Sequence, residues 1–262
     1  LKRVRESLAL KNPPVVLVLA QVRVSPVEAM ANFVPEIQER FRKAGFPEMR
    51  EGKVHGQFIV EGKPVAEHSG IQWEFVNKTN TTVIQLNLDA ITVLTTEYTR
   101  FEDLEETFKL AVEVLHEIVA PSQVHRYGLR YVNFIPIGFG SNFVEWVRPH
   151  LLGHPNFPGA ERIGSFSETV MVSDPSCRLA ARCITMHAGI PIPGDLMPCN
   201  LKLRISEIPC KEPFAILDND HGKTGPEDFD PTKAVETIAG LHNLLDLAFR
   251  TSVTDPALEK WK

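Results

Sequence analysis

The sequence predicts an α+β fold in which a mostly antiparallel sheet carries helices on one side. Three observations point there. Segments rich in β-branched residues with a two-residue apolar period alternate with long stretches of helical period. The turns between successive strand segments are short, which favours antiparallel pairing, and each long amphipathic helix needs a sheet to cover it. The order β-α-β-β-β(β)-α occurs twice, so residues 1–121 and 122–262 read as two pseudo-repeated halves of one continuous unit.

Val15–Val24 (VVLVLAQVRV) follows Pro13-Pro14 and reads as the first strand. Ser25-Pro26 has the form of an N-cap with proline at the first helical position, which predicts a helix to about Lys43 that stops at Gly45. Met30, Phe33, Ile37 and Phe41 give it an apolar stripe. Strands are expected at His55–Glu61, Gly70–Asn77, Thr81–Leu88 and Ile91–Thr96. Phe101–Ala120 is the clearest helix, with acidic residues in its first turns where the helix dipole favours them, and Pro121 ends it.

The second half predicts a strand at Val124–Ile137 and a helix at Asn142–Leu152. Strands follow around Gly164–Ser173, Cys177–His187, Leu201–Ile208 and Phe214–Asp220, then a helix over Pro231–Arg250 capped by Asp230. Faint echoes join the halves: Phe33-Val34 with Phe143-Val144, and Leu115-His116 with Leu241-His242. The proline-rich Ala188–Asn200 accounts for the extra length of the second half. The element order resembles the duplicated, saddle-shaped sheet of the TATA-binding-protein-like folds. A helix-grip arrangement, with a sheet wrapped around one long helix and a cavity between them, is the alternative.

A chain of 262 residues with 43% hydrophobic and 23% charged content is ordinary for a globular protein with a sizeable core. A net charge of −5 excludes a wholly basic nucleic-acid binder, though not a local basic patch. No apolar run approaches the roughly 18 residues of a membrane span. The opening LKRVRESLAL is amphipathic, without the apolar stretch of a secretory signal, so the expected location is cytoplasmic. Cys177, Cys183, Cys199 and Cys210 include no CxxC pair and are expected to be reduced thiols. Without a secretion signal, the sequons at Asn77 and Asn80 carry no implication.

The segment VHRYGLRYVNFIPI (124–137) is the most informative. A two-residue period sends Tyr127, Leu129 and Tyr131 to one face and Arg126, Gly128 and Arg130 to the other. Applied to every strand, the same alternation places Val16, Val18, Ala20 and Val22 with the tyrosines, beneath the helices. The opposite face collects Arg23, Arg126, Arg130, Arg178, Arg182, Lys202 and Arg204 against the acids Glu74, Asp218 and Asp220. Burying unpaired cations is costly, so this face is expected to be open to water, to line a hydrated groove or to meet a partner. Gly128 would let a ligand or another backbone come close. Arginine suits carboxylate and phosphate recognition, so the expectation is a recognition surface for an anionic or polar partner. A solvated face whose charges only keep the chain soluble is the plainer reading.

Catalytic and metal motifs are incomplete. His116-Glu117 begins an HExxH helix, but Ala120 stands where the second histidine belongs. Asp218-Asn-Asp220-His-Gly222 is similar to a calcium loop, yet its glycine falls at the fifth position and Phe229 occupies the place of the bidentate Glu. As a strand end and turn it needs no metal; a cation held by Asp218, Asp220 and His221 is the weaker reading. There is no GxSxG elbow, dinucleotide fingerprint or Walker lysine, so no cofactor is expected. His125, Glu74 and Glu168 would form acid–base machinery only by tertiary assembly.

Three stretches carry a resemblance: NPPVVLVLAQVRV (12–24), RYGLRYVNFI (126–135) and LHNLLDLAFRTSVTD (241–255). They are similar to the signatures of a sporadically distributed family of prokaryotic proteins about 250 residues long, with no established activity. The resemblance spans nearly the whole chain and implies a cytoplasmic bacterial or archaeal protein. The patchy distribution implies a role beside a toxin or antiviral effector. It supplies no catalytic residues.

Three function classes follow. The first is a non-catalytic binding or regulatory protein that offers its charged sheet face to a protein, a peptide or an anionic small molecule. The second is a nucleic-acid binder, disfavoured because the tyrosines beside Arg126 point the other way. The third is an enzyme whose site is assembled from distant residues, which a cavity with converging acids and a histidine would favour. Isologous dimerisation through an exposed edge or the polar face is compatible with all three.

Overall fold

The computed structural model describes residues 10–60, 63–155, 157–197 and 199–262, and for 53–60 and 63–69 the backbone alone. In chain order the elements are β1 (Val15–Val24), α1 (Met30–Lys43), β2 (Glu48–Val60), β3 (Lys63–Val76), β4 (Thr82–Leu86), β5 (Ala90–Thr95) and α2 (Phe101–Ile118). Then come β6 (Gln123–Pro136), β7 (Gly164–Asp174), β8 (Cys177–Met186), β9 (Phe214–Asp228), α3 (Pro231–Ser252) and the short α4 (Asp255–Glu259). The strands form one sheet in the order β2-β3-β4-β5-β1-β6-β9-β8-β7. Every neighbouring pair is antiparallel. About the β1–β6 seam, β1-β5-β4-β3 mirrors β6-β9-β8-β7, with β2 added at one margin, and the ladder crosses the seam from residue 24 paired with 124 to residue 15 paired with 133.

Helices α1, α2 and α3 cover one face. Met30, Val34, Ile37 and Phe41 of α1, Leu104, Phe108 and Leu115 of α2, and Ile238, Leu241 and Leu245 of α3 share one core with Val18, Ala20 and Val22 of β1 and Tyr127, Leu129 and Tyr131 of β6. The alternation expected for 124–137 is therefore observed. Val16 differs: a register irregularity between Val15 and Leu17 sends it to the opposite face, among Val132, Phe214 and Ile216.

Local chemistry explains where elements depart from expectation. Helix α1 starts at Met30, because the Ser25 N–H donates to the Gln123 carbonyl (3.1 Å) and the Val27 N–H to that of Leu88 (2.8 Å), so the chain stays tied to neighbouring strands past Pro26. The helix expected over Asn142–Leu152 is two 3-10 turns, Phe143–Glu145 and Pro149–Leu151. Pro149 splits them: it lacks an N–H and holds Arg148 extended (ψ 134°). No strand forms at Leu201–Ile208. Residues 187–197 and 199–213, interrupted by Pro191, Pro193 and Pro209, instead run across the helix-free face, where Leu196, Cys199, Leu201 and Ile205 pack over Val83, Leu94 and Phe214. Asp218–Gly222 is not a strand end and turn but the interior of β9.

Helix α3 has the expected cap, with Asp230 accepting from the Lys233 N–H at 3.0 Å. Gly240 sits exposed in its middle, and a Cβ there would meet nothing within 4 Å. Gly240→Ala should therefore stabilise the fold by about 0.5–1 kcal/mol, read as a higher urea midpoint at unchanged slope. The four cysteines are unbridged. Among the described residues no helix is long and apolar enough to cross a membrane. Strand β7 forms one margin of the sheet and leaves Phe166, Val170 and Val172 at 63%, 57% and 65% exposure.

Candidate functional site

On the helix-free face, cross-strand register brings together residues far apart in sequence. Arg50 of β2 lies opposite Glu74 of β3, which lies opposite Gln85 of β4 and then Thr92 of β5. The row continues through Gln21 of β1, Gly128 of β6, Gly222 of β9 and Arg178 of β8. It is a polar line across eight adjacent strands, roughly 33 Å long at the usual strand spacing. Internal bonds tie it together: Glu74 Oε1 accepts from Gln72 and Gln85 Nε2, each at 2.9 Å, and Gln21 Nε2 donates to Thr92 Oγ1 at 2.9 Å.

The expected arginines flank this line, and most already hold carboxylates. Arg130 makes a bidentate pair with Asp218 (Nε–Oδ1 2.6 Å, Nη2–Oδ2 2.8 Å) and a second with Asp195 from the crossing loop (Nη1–Oδ2 2.6 Å, Nη2–Oδ1 3.1 Å). Burial works to lower the Arg130 pKa, but the bonds to Asp218 and Asp195 outweigh it, and the proton is held more tightly than usual. The same contact with Arg130 pulls the Asp195 carboxyl below its ordinary range. Arg182 bridges Glu168 (2.6 Å) and Asp218 (3.3 Å). Arg126 reaches Asp220 at 3.2 Å, and Arg23, directly opposite it in the ladder, turns to Asp89 at 2.6 Å. Against Arg126, Arg130, Arg178 and Arg182 stand Glu168, Asp195, Asp218 and Asp220, so the charges of the cluster cancel. Arg178 alone of these arginines is exposed with no hydrogen-bond or ion-pair partner among the described residues.

Gly128 has a specific job here. A Cβ on it would lie 2.4 Å from Arg126 Nη1, and one on Gly222, its ladder partner, 2.9 Å from Arg126 Nη2. The two glycines form a trough, and the Arg126 guanidinium lies in it. The room that the sequence reserves for a close approach is filled from within.

Two shallow clefts open along the polar line. One, of about 260 Å³, is bounded by Arg126, Arg178, Ser176, Asp220 and Thr224. The other, of about 520 Å³, lies between Arg50, Gln72, Glu74 and Gln85 and the loop carrying Asp195, Cys199 and Leu201.

Lys202 and Arg204 do not join the arginines. They ride on the crossing loop, where the Lys202 N–H donates to the Asn80 carbonyl (2.7 Å) and Arg204 Nη1 to the Tyr98 carbonyl (3.3 Å). Asp218, Asp220 and His221 do not converge either. Strand alternation sends His221 to the helix side, where Nδ1 meets the Leu241 carbonyl at 3.0 Å. No cluster of three metal-ligating side chains occurs among the described residues. His125, Glu74 and Glu168 stay apart, bonded to Ser25, to Gln72 and Gln85, and to Arg182 respectively.

A further cavity, of about 250 Å³, lies on the other side of the sheet. It sits between the start of α2 and the second half of α3, above the β1–β6 seam. The Tyr131 hydroxyl donates to Tyr98 Oη at 3.3 Å and lies 3.1 Å from His242 Nδ1, while the His242 ring stacks on Phe101 at 4.3 Å and 7°. Burial drives the Tyr98 pKa to about 12 and that of Tyr131 well above its usual value. Burial also lowers the His242 pKa, against the opposing pull of Asp246 and Glu102, so the ring is neutral at pH 7. Asp246 is held by Arg250 at 2.8 Å. A mirrored contact joins the partner histidine of the sequence echo: His116 of α2 stacks on Phe229, just before α3.

The periodicity of 124–137 predicts the buried side of Tyr131, but no local signal links it to residue 98 or 242. Residues 12–24, 126–135 and 241–255 supply Pro13 and Pro14, Tyr131 and Asn133, and His242 and Phe249 to this one cavity. Neither a scan against protein-family models nor a search of the curated proteins finds a match for the chain.

Proposed function

We propose that the protein is a non-catalytic binding protein that receives an extended anionic or polar segment of a partner across its helix-free face. The observation that carries this reading is the eight-strand polar line from Arg50 to Arg178. The row carries the half-buried amides of Gln85 and Gln21 at strand spacing, a guanidinium at each end (Arg50 and Arg178), and one carboxylate, Glu74, which is already taken up by Gln72 and Gln85. Arg178, lacking a carboxylate, is the group best placed to take one from outside. No aromatic side chain lies in that row, so stacked bases have no platform there, which favours a peptide over a nucleic acid. A cytoplasmic setting belongs to the same proposal and is supported by four unbridged cysteines.

A fluorescein-labelled decaglutamate peptide tests it by anisotropy, with single-stranded DNA of matched charge as comparator. Wild-type protein should bind the peptide at low salt and release it as salt rises. The Arg50→Ser/Arg178→Ser variant should bind about tenfold more weakly, with unchanged thermal stability because neither change opens the core. Equal binding by both proteins, or preference for the DNA, would reject the reading.

A further inference from the structure

We propose that the cavity between α2 and α3 is a second binding site, on the opposite side of the sheet, for a small ring-bearing amine in its cationic form. Size sets the first limit. At about 250 Å³ the space falls below the roughly 300–1,000 Å³ of sites for drug-sized ligands, so a single ring with a short side chain fits and a nucleotide does not. The walls set the second. Tyr98, Phe101, Tyr131, His242 and Phe249 line the cavity together with Pro13 and Pro14, which suits a flat apolar body and, through the ring faces, a cation.

The polar groups decide the sign of the ligand. The cations on the rim are committed: Arg100 to Asp103 at 2.8 Å, and Arg250 to Asp246 at 2.8 Å. The acceptors are not. Glu102 lines the cavity with no hydrogen bond or ion pair among the described residues. The Tyr131 hydroxyl donates to Tyr98, so its oxygen is left to accept from the His242 Nδ1–H. The tautomer that matches this direction puts the ring's lone pair on Nε2, which no described residue engages. A carboxylate at the exposed rim and a free imidazole lone pair between aromatic walls favour a ligand that donates. A carboxylate or phosphate would meet Glu102 as a like charge, whereas an ammonium would be paired.

Benzylamine is the probe, with benzyl alcohol and benzoate as neutral and anionic counterparts of the same shape. Binding is followed by calorimetry and by the His242 ring signals in NMR of the full chain. Benzylamine should shift those signals and bind more tightly than benzyl alcohol, and benzoate should leave them unmoved. Glu102 is exposed, so Glu102→Gln should fold normally while weakening benzylamine about threefold to fivefold. The Arg50→Ser/Arg178→Ser variant should bind benzylamine as the wild type does, which separates this site from the helix-free face. Benzyl alcohol binding as tightly as benzylamine, a Glu102→Gln variant with unchanged affinity, or His242 signals that respond to none of the three would overturn the proposal.

Discussion

Replacing Asp218 by alanine is expected to cost about 3–5 kcal/mol of stability, the range for removing one member of a buried ion pair. Asp218 is 1% exposed and Arg130 8%, and two hydrogen bonds join them. Without the carboxylate, the Arg130 guanidinium stays buried beside Arg182, which had shared the same anion. Asp195 cannot make up the loss: its side chain is 63% exposed, on a loop, and water already screens its attraction. The penalty should therefore arise from the stranded cation more than from any attraction lost. Arg130→Met combined with Asp218→Leu separates the two causes, since removing both charges should cost less than Asp218→Ala alone. Urea unfolding of the three proteins is the measurement. A loss below about 1 kcal/mol for Asp218→Ala would show that the pair contributes no more than a surface contact.

Gly225→Ala should rank next, at about 3 kcal/mol, the upper end of the range for forcing atoms into filled space. Gly225 lies on β9 where the pairing with β6 shifts between Val124 and Arg126. A Cβ there would stand 2.4 Å from the Val124 carbonyl oxygen and 3.0 Å from the Glu227 nitrogen. Both are backbone atoms, so relief requires the strands to part. Gly128→Ala is the informative contrast, because its nearest obstacle is the free end of Arg126. That guanidinium can swing out of the trough, giving up Asp220 at a cost of under about 1 kcal/mol. Melting temperatures should fall far more for the first variant than for the second. Equal losses would mean that the trough itself is rigid.

The contrast bears on what the sequence could disclose. Strands β1 and β6 and helices α2 and α3 are long and strongly periodic, and their residues alone place Tyr127, Leu129 and Tyr131 beneath the helices. The face of Arg126 and Arg130 follows from the same alternation. Their partners do not, because β6 pairs with β9, almost a hundred residues further on, and nothing local sets that register. Asp195 is less legible still, since its loop has no period and reaches Arg130 only by crossing the face. Pro149 is a readable signal, since a proline inside 142–152 argues for broken turns over one helix. The cavity at Tyr98, Tyr131 and His242 is purely tertiary: three elements meet where each alone shows an ordinary core aromatic or a helix-borne imidazole.

One margin of the sheet is finished differently from its centre. Outermost strand β7 bears Phe166, Val170 and Val172 facing water, and its mid-strand carboxylate, Glu168, is already engaged by Arg182. Natural sheets usually blunt such a border with lysine, proline or a covering segment; residues 165–172 contain neither lysine nor proline, and among the described residues the turn at Leu151 meets them only near Ser165 and Ser167. Backbone donors and acceptors along that rim stay available to any strand that docks beside them. Growth of the ladder from outside, whether by a like molecule at high concentration or by a foreign tail, would begin at this rim, and a lysine at Val170 is the simplest way to shut it.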